Sequence, residues 1–223
     1  MNKQTFLIVD TETTISQTVA DFGAVVVDRA GTILDQISVL VEGHFTKLPL
    51  FYRPDAIDSA LWSKESAKIR RKKYKQMISA GSRSIASVDY VNLWLARAVG
   101  SFDPVLTAYN LSFDWGVCQK TQIDLGMFKN RFCLCNATRT FLYPLAKDWL
   151  LANGWTTPQK RPACSADAIA HWVLGNDFPK EPHTALEDAR DYERPILVRC
   201  ARGRSLESLI EAGEGNCNWR DRA

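Results

Sequence analysis

The 223-residue sequence has no cysteine pair at CxxC spacing, no long apolar run, no internal repeat and no low-complexity tract. Each absence removes a class of protein. Without a long apolar run there is no expected membrane-spanning helix. Cys118, Cys133, Cys135, Cys164, Cys200 and Cys217 are scattered. With no secretion signal before the first apolar strand, they are expected to be free thiols in a reducing cytoplasm, not a disulfide framework. Cys133-Leu134-Cys135 is too short for a zinc knuckle, and strand alternation accounts for it better. A strong net charge is also missing: at +3 the overall balance points to no partner class. The hydrophobic fraction of 46% and charged fraction of 24% are those of an ordinary globular protein. The length suits one domain with an insertion or appendage.

The most informative stretch is Phe6-Leu-Ile-Val-Asp10-Thr-Glu12-Thr-Thr14. An apolar, β-branched run reads as a strand buried on both faces. It leads directly into Asp10 and Glu12, at the sheet edge where open α/β sheets place their sites. Residues two apart on a strand point the same way, so the two carboxylates share a face. Like charges held together and desolvated are costly, and a hard divalent cation with oxygen ligands is the simplest compensation. The alternative is a strand end in which Asp and Thr cap a turn.

Two further strands are expected over Val19–Asp28 and Thr32–Glu42, joined by polar turns into an antiparallel meander. Gly43, Pro49 and Pro54 then mark loops, and helical spacing runs from Asp58 to Ala80, with Leu61, Trp62, Ile69, Tyr74, Met77 and Ile78 inward. Within it, Lys64, Lys68, Arg70, Arg71, Lys72, Lys73 and Lys75 stand against Glu65 alone, a net +6. A basic helix interleaved with Trp62 and Tyr74 suits a phosphate backbone and stacked bases, against the alternative of a solvated face. An amphipathic helix follows over Ser84–Gly100, then a strand over Pro104–Tyr109. That strand ends in Asn110-Leu-Ser-Phe-Asp114, at the start of a helix over about Phe113–Leu125 that Ser112 is placed to cap. A fifth strand is expected over Arg131–Asn136, a helix from Ala137 towards Leu151, and another over Ser165–Leu174 ended by Gly175.

The last informative segment is Glu181-Pro-His183-Thr-Ala-Leu-Glu187-Asp188. Thr184-x-x-Glu187 has capping-box spacing, which puts His183 before the cap and Asp188 in the first turn. Those positions usually hold an apolar staple; here they hold an imidazole and a carboxylate, which suggests chemistry. Pro195 is expected to break or kink the helix near its end.

Asp10-Thr-Glu12-Thr, Asn110-x-x-Phe-Asp114 and His183-x-Ala-x-x-Asp188 together resemble the three signature motifs of the DEDDh 3′-to-5′ exonucleases. The resemblance spans about residues 4–199. It implies a ribonuclease H-like α/β fold: a five-stranded mixed sheet of order 3-2-1-4-5 with strand 2 antiparallel, flanked by helices. Residues 1–199 would form the exonuclease domain, with a basic helical insertion at about 43–84, and residues 200–223 a C-terminal tail.

The resemblance also implies roles. Asp10 would bridge two Mg²⁺ or Mn²⁺ ions; Glu12 and Asp188 would complete the site nearer the attacking water; Asp114 would serve the second ion. His183 would be the general base. Thr11, Thr13, Asn110 and Phe113 would contact the terminal nucleotide. The basic region at 43–84 departs from the usual connector, and it is the charge pattern that makes Lys68, Arg70, Arg71, Lys72 and Lys73 the expected backbone contacts. The expected substrate is the 3′ end of single-stranded nucleic acid, DNA favoured over RNA, and the product a nucleoside 5′-monophosphate. The chain departs from many relatives at Tyr109, where His is frequent, and at Cys135-Asn136, where Asp-Thr is common. Two alternatives use the same fold: a non-catalytic nucleic-acid-binding module, and a polymerase-associated proofreading subunit. In the latter, residues 200–223 would dock a protein partner; a homodimer is the other expected association.

Overall fold

The computed structural model describes residues 4–53 and 62–214. It is a mixed α/β structure: one six-stranded sheet flanked by helices. The strands are β1 (Thr5–Thr13), β2 (Val19–Asp28), β3 (Ile33–Val41), β4 (Ser84–Ala86), β5 (Val105–Ala108) and β6 (Arg131–Cys133). Their spatial order is β4-β3-β2-β1-β5-β6. β2 runs antiparallel to both β1 and β3, while the pairs β1–β5, β5–β6 and β3–β4 are parallel. Phe6, Leu7, Ile8 and Val9 are fully buried, as expected for a strand covered on both faces.

The sixth strand corrects one expectation. Ser84–Ala86 is extended and pairs with β3, and helix α2 (Val88–Phe102) starts only after Ser87. The Ser87 hydroxyl accepts the Tyr90 N–H at 3.2 Å, a serine N-cap that fixes the helix start later than hydrophobic spacing suggests. Ile85, expected inward, is 45% exposed on this edge strand.

Helix α1 (Lys64–Ser79) is capped by Ser63, whose hydroxyl accepts the Ser66 N–H. The earlier part of the expected helix, including Leu61, lies outside the described residues, as does Pro54. Tyr74 is buried as expected, but Ile69 faces outward at 67% exposure. α1 covers a small apolar cluster of Ala20, Leu40, Phe45, Leu50, Ala67 and Tyr74, separate from the main core.

Helix α3 (Leu111–Thr121) has Asn110, not Ser112, at its cap position, and the Ser112 hydroxyl donates to Asn110 Oδ1 at 3.2 Å. The strand expected to reach Asn136 stops at Cys133. The Cys135 N–H turns to Tyr109 O at 3.0 Å, which ends the ladder and places Cys135 in helix α4 (Leu134–Phe141). Strand alternation therefore does not explain Cys133 and Cys135. The single helix expected up to Leu151 is two, α4 and α5 (Tyr143–Ala152), because Pro144 lacks the N–H needed to continue the ladder. Helix α6 (Ala166–Leu174) ends at Gly175 as expected.

The final helical segment has three parts: α7 (Ala185–Glu187), a π-helical turn (Asp188–Glu193) and α8 (Arg194–Ala201). Pro195 does not end it. The ladder instead widens just upstream, with the Arg194 N–H bonding to Ala189 O, five residues back. Helix α9 (Leu206–Gly213) buries Leu209, and a Cβ on Gly213 would overlap Phe132. The segment expected as a tail from residue 200 is thus packed against the body through residue 213. Gly215, Cys217 and Trp219 lie outside the described residues.

Two contacts press α7 onto the sheet. Gly23, opposite Asp10 in the β1–β2 register, has no room for a side chain: a Cβ would overlap Ala185 C and Leu186 N. The second is a buried ionic network. Arg83 donates to Asp21 Oδ1 at 3.2 Å and to Glu187 Oε1 at 3.2 Å, and Asp21 Oδ2 accepts the Ala185 N–H at 3.0 Å. Removing one partner of a buried pair leaves an uncompensated charge. Arg83→Met should lower stability by about 3–5 kcal/mol in urea unfolding. Asp21→Asn in that background should recover part of the loss. A loss under about 1 kcal/mol for Arg83→Met would show that the network does not hold α7.

Candidate metal centre

Three chain segments meet at one corner. β1 supplies Asp10 and Glu12, the first turn of α3 supplies Asp114, and the loop before α7 supplies His183, with Asp188 at the start of the π-turn. Glu12, His183 and Asp188 each offer a ligand atom within 4.8 Å of the others. The His183 Nδ1 to Glu12 Oε1 distance is 3.9 Å. Asp188 Oδ2 accepts the Thr184 N–H at 3.0 Å, while Asp188 Oδ1 is buried with no hydrogen-bond partner. The Thr184 side chain makes no cap bond, and Glu187 turns to Arg83, so the expected capping box is not formed. Acids satisfy the N–H groups of this helix start instead: Asp188 takes Thr184 and Asp21 takes Ala185.

Crowding and burial push these acids towards their neutral forms. Burial, with added repulsion from Glu193, Asp114, Asp188 and Glu12, holds Asp10 well above the carboxylate range. Burial raises Glu12 to about 8, against the opposing charge of Arg70. Asp114 rises to about 7 through burial, opposed by a hydrogen bond from Thr11. Asp188 is raised to about 10 by burial and by the charges of Glu181, Glu12 and Glu193. His183 moves the other way: burial, then the Arg70 charge, lowers it. An orphaned buried carboxylate oxygen beside a second carboxylate and an imidazole fits a divalent cation.

The expected substrate contacts divide. The Thr11 hydroxyl donates to Asp114 Oδ1 at 2.7 Å, so Thr11 orients an acid instead of facing a nucleotide. Thr13 is buried, at a bulge after Glu12, and its carbonyl accepts the Phe51 N–H at 2.8 Å. Asn110 is half-buried and Phe113 is 37% exposed. On α1, Arg71 donates to Leu48 O and Phe45 O, at 2.8 and 2.6 Å, and lies over the Phe45 ring. Arg70 donates to Phe51 O at 2.6 Å and lies over Trp62, whose ring centroid is 5.8 Å from that of His183. Lys73 donates to Pro182 O at 3.1 Å. Lys72 is exposed, and so is Lys68, which pairs with Glu65 at 3.0 Å.

The sequence reading missed Glu193 and Glu181. Glu193 is buried and accepts the Tyr109 N–H at 3.2 Å. A π-turn closes from residue i to i+5, so Glu193 stacks over Asp188 and faces the same corner. Helical spacing at 3.6 residues per turn would send it elsewhere. Glu181 is raised to about 7 by burial and by Asp167, whose carboxylate accepts its N–H at 3.1 Å. The proximity of Glu181 to His183 in sequence was the available signal. No helix among the described residues is long and apolar enough to cross a membrane. The chain matches no known family model and no curated protein.

The raised acids set a pH dependence. Each binds its proton more tightly folded than unfolded, so stability falls as pH rises from the ordinary carboxylate range through the raised values. The chelated protein should therefore lose thermal stability from about pH 4, where the unfolded chain releases these protons, to about pH 8, by which the folded chain has begun to release those of Asp114 and Glu12. Saturating Mg²⁺ or Mn²⁺ should reduce the loss, because the cation binds the ionised form. A melting temperature with the same pH slope with and without the ion would contradict the site.

Proposed function

We propose that the protein is a metal-dependent 3′-to-5′ exonuclease of the DEDDh type, with a ribonuclease H-like fold, acting on the 3′ end of single-stranded nucleic acid. The observation that carries this reading is the convergence of Asp10, Glu12, Asp114, His183 and Asp188 on one desolvated corner, with a carboxylate oxygen of Asp188 left unpartnered. Mg²⁺ or Mn²⁺ is the proposed cofactor, and two ions held by the four acids is the proposed stoichiometry. When bound, they supply a nucleophile at neutral pH and offset charge on the departing 3′ oxygen.

The chain's own groups do the rest. The imidazole of His183, lowered by burial, is neutral near pH 7 and can take the proton of the attacking water. Thr11 holds Asp114 in place by its hydroxyl. The half-exposed Phe113 offers a ring face to the terminal base. The exposed Lys72, and Lys68 once released from its surface pair with Glu65, would follow the phosphate backbone. DNA is the proposed substrate over RNA, on the family resemblance alone.

A second reading has its own observation. His183 lies as close to Glu12 and Asp188 as a ligand would, so the corner also suits one ion bound by these three side chains, with no general base. The two readings part at His183→Ala. As general base, its loss lowers kcat about 10²- to 10⁴-fold with metal affinity unchanged; as ligand, its loss weakens metal binding.

The test is degradation of 5′-labelled single-stranded DNA and RNA of matched sequence, in Mg²⁺ and in EDTA. The reading expects a metal-dependent ladder shortening from the 3′ end, absent in Asp10→Ala. Binding without shortening, unaffected by Asp10→Ala, would make the protein a nucleic-acid-binding module instead.

A further inference from the structure

The segment that presents His183 is unusual. His183 has φ +53°, a left-handed conformation that is sparsely populated outside glycine and persists only where the surroundings enforce it. Here each residue from 182 to 185 is held by a side chain, and for Pro182, His183 and Ala185 that side chain comes from far away in the sequence. Pro182 O accepts the Lys73 ammonium at 3.1 Å, and His183 O accepts the Tyr74 hydroxyl at 3.5 Å. Beyond them, the Thr184 and Ala185 N–H groups are held by Asp188 and Asp21.

The first two contacts come from adjacent residues of α1 and bracket His183. The peptide plane before His183 carries Pro182 O, and the plane after it carries His183 O. Lys73 holds the plane before His183 and Tyr74 weakly restrains the plane after it; the two planes set the dihedrals of His183 and so the direction in which its side chain leaves the backbone. The bond to Pro182 O is much the stronger: its donor is an ammonium at 3.1 Å, whereas the one hydroxyl proton of Tyr74 is shared with the Asp21 carboxylate and lies a long 3.5 Å from His183 O. The Trp62 ring, 5.8 Å from the imidazole centroid, packs beside the result.

We propose that Lys73, assisted by Tyr74, is a positioning residue for His183, and that the inward face of α1 belongs to the catalytic corner. The outward lysines Lys72 and Lys75 are left to meet a phosphate backbone, with Lys68 beside them in a surface pair with Glu65. The basic run of α1 therefore has two separable jobs. For its effect on turnover, the proposal rests on the exonuclease reading above.

The experiment compares Lys73→Met, Lys73→Arg and Lys72→Met in the full chain. Its first readout is the nitrogen-15 and proton spectrum of the imidazole rings, recorded without substrate. The chain has three histidines, and His44 and His171 report whether the fold is intact. Lys73→Met should shift and broaden the His183 ring signals while the other two stay in place. Lys73→Arg, which keeps a cationic donor, should return them towards wild type, and Lys72→Met should move none. The second readout is kinetics: Lys73→Met should lower kcat at least about tenfold with little change in KM, whereas Lys72→Met should raise KM and weaken the salt dependence. Unmoved His183 signals in Lys73→Met, or a KM-only effect matching that of Lys72→Met, would overturn the proposal. If Lys73→Met also moves His44 and His171, then Tyr74→Phe decides by the same ring signals: a shift confined to His183 supports the proposal and none refutes it. A wild-type protein without nuclease activity would sink the exonuclease reading, while the ring spectra would still decide the role of Lys73.

Discussion

The burial of several carboxylates in one place is the constraint around which this corner is built. Asp10, Glu12, Asp114 and Asp188 are all pushed towards protonation, with burial the largest cause for each. Glu181 and Glu193 add to the crowding. A fold gains nothing in stability from such an arrangement, because each ionised group loses its hydration and repels the next. The proposed divalent cation would supply the offsetting positive charge. Strained or electrostatically costly arrangements cluster at functional sites for this reason.

The remainder of the structure can be understood as what holds that corner together. Gly23 lets the backbone of α7 approach β2 directly opposite Asp10. Asp21 takes an N–H of the same helix start and is itself held by Arg83. Thr11 ties β1 to Asp114, and Glu193 ties the π-turn to the end of β5 through the Tyr109 N–H. From the other side, α1 reaches over with Lys73 and Tyr74 to the His183 loop. Each tie joins elements far apart in sequence, so the corner forms only when the whole sheet has formed.

Much of this is legible in the sequence. Asp10 and Glu12 were readable because an apolar strand that runs into acids is a local pattern, and the β2 boundaries coincide with the expected Val19–Asp28. His183 and Asp188 were readable from helix-start spacing, although the capping box that suggested them is not made. What stayed hidden depends on non-local contacts. The β4 pairing exists only because β3 offers a free edge, and Ser87 then decides where α2 starts. Glu193 joins the site through a π-turn, a departure from 3.6-residue periodicity that spacing does not announce. The charge of α1 was visible, but not that Arg70, Arg71 and Lys73 are spent on backbone carbonyls of neighbouring loops. Composition reports charge; only packing reports where it points.

The proposed function requires that the corner of Asp10, Glu12, Asp114 and Asp188 bind a divalent cation. The most direct measurement is the electron paramagnetic resonance signal of free Mn²⁺ titrated with the chelated protein near pH 7.5, for wild type and for Asp188→Ala. Loss of the free-ion signal in wild type and its persistence in a folded Asp188→Ala protein is the predicted result. Equal free Mn²⁺ in both, across the same titration, would contradict the account.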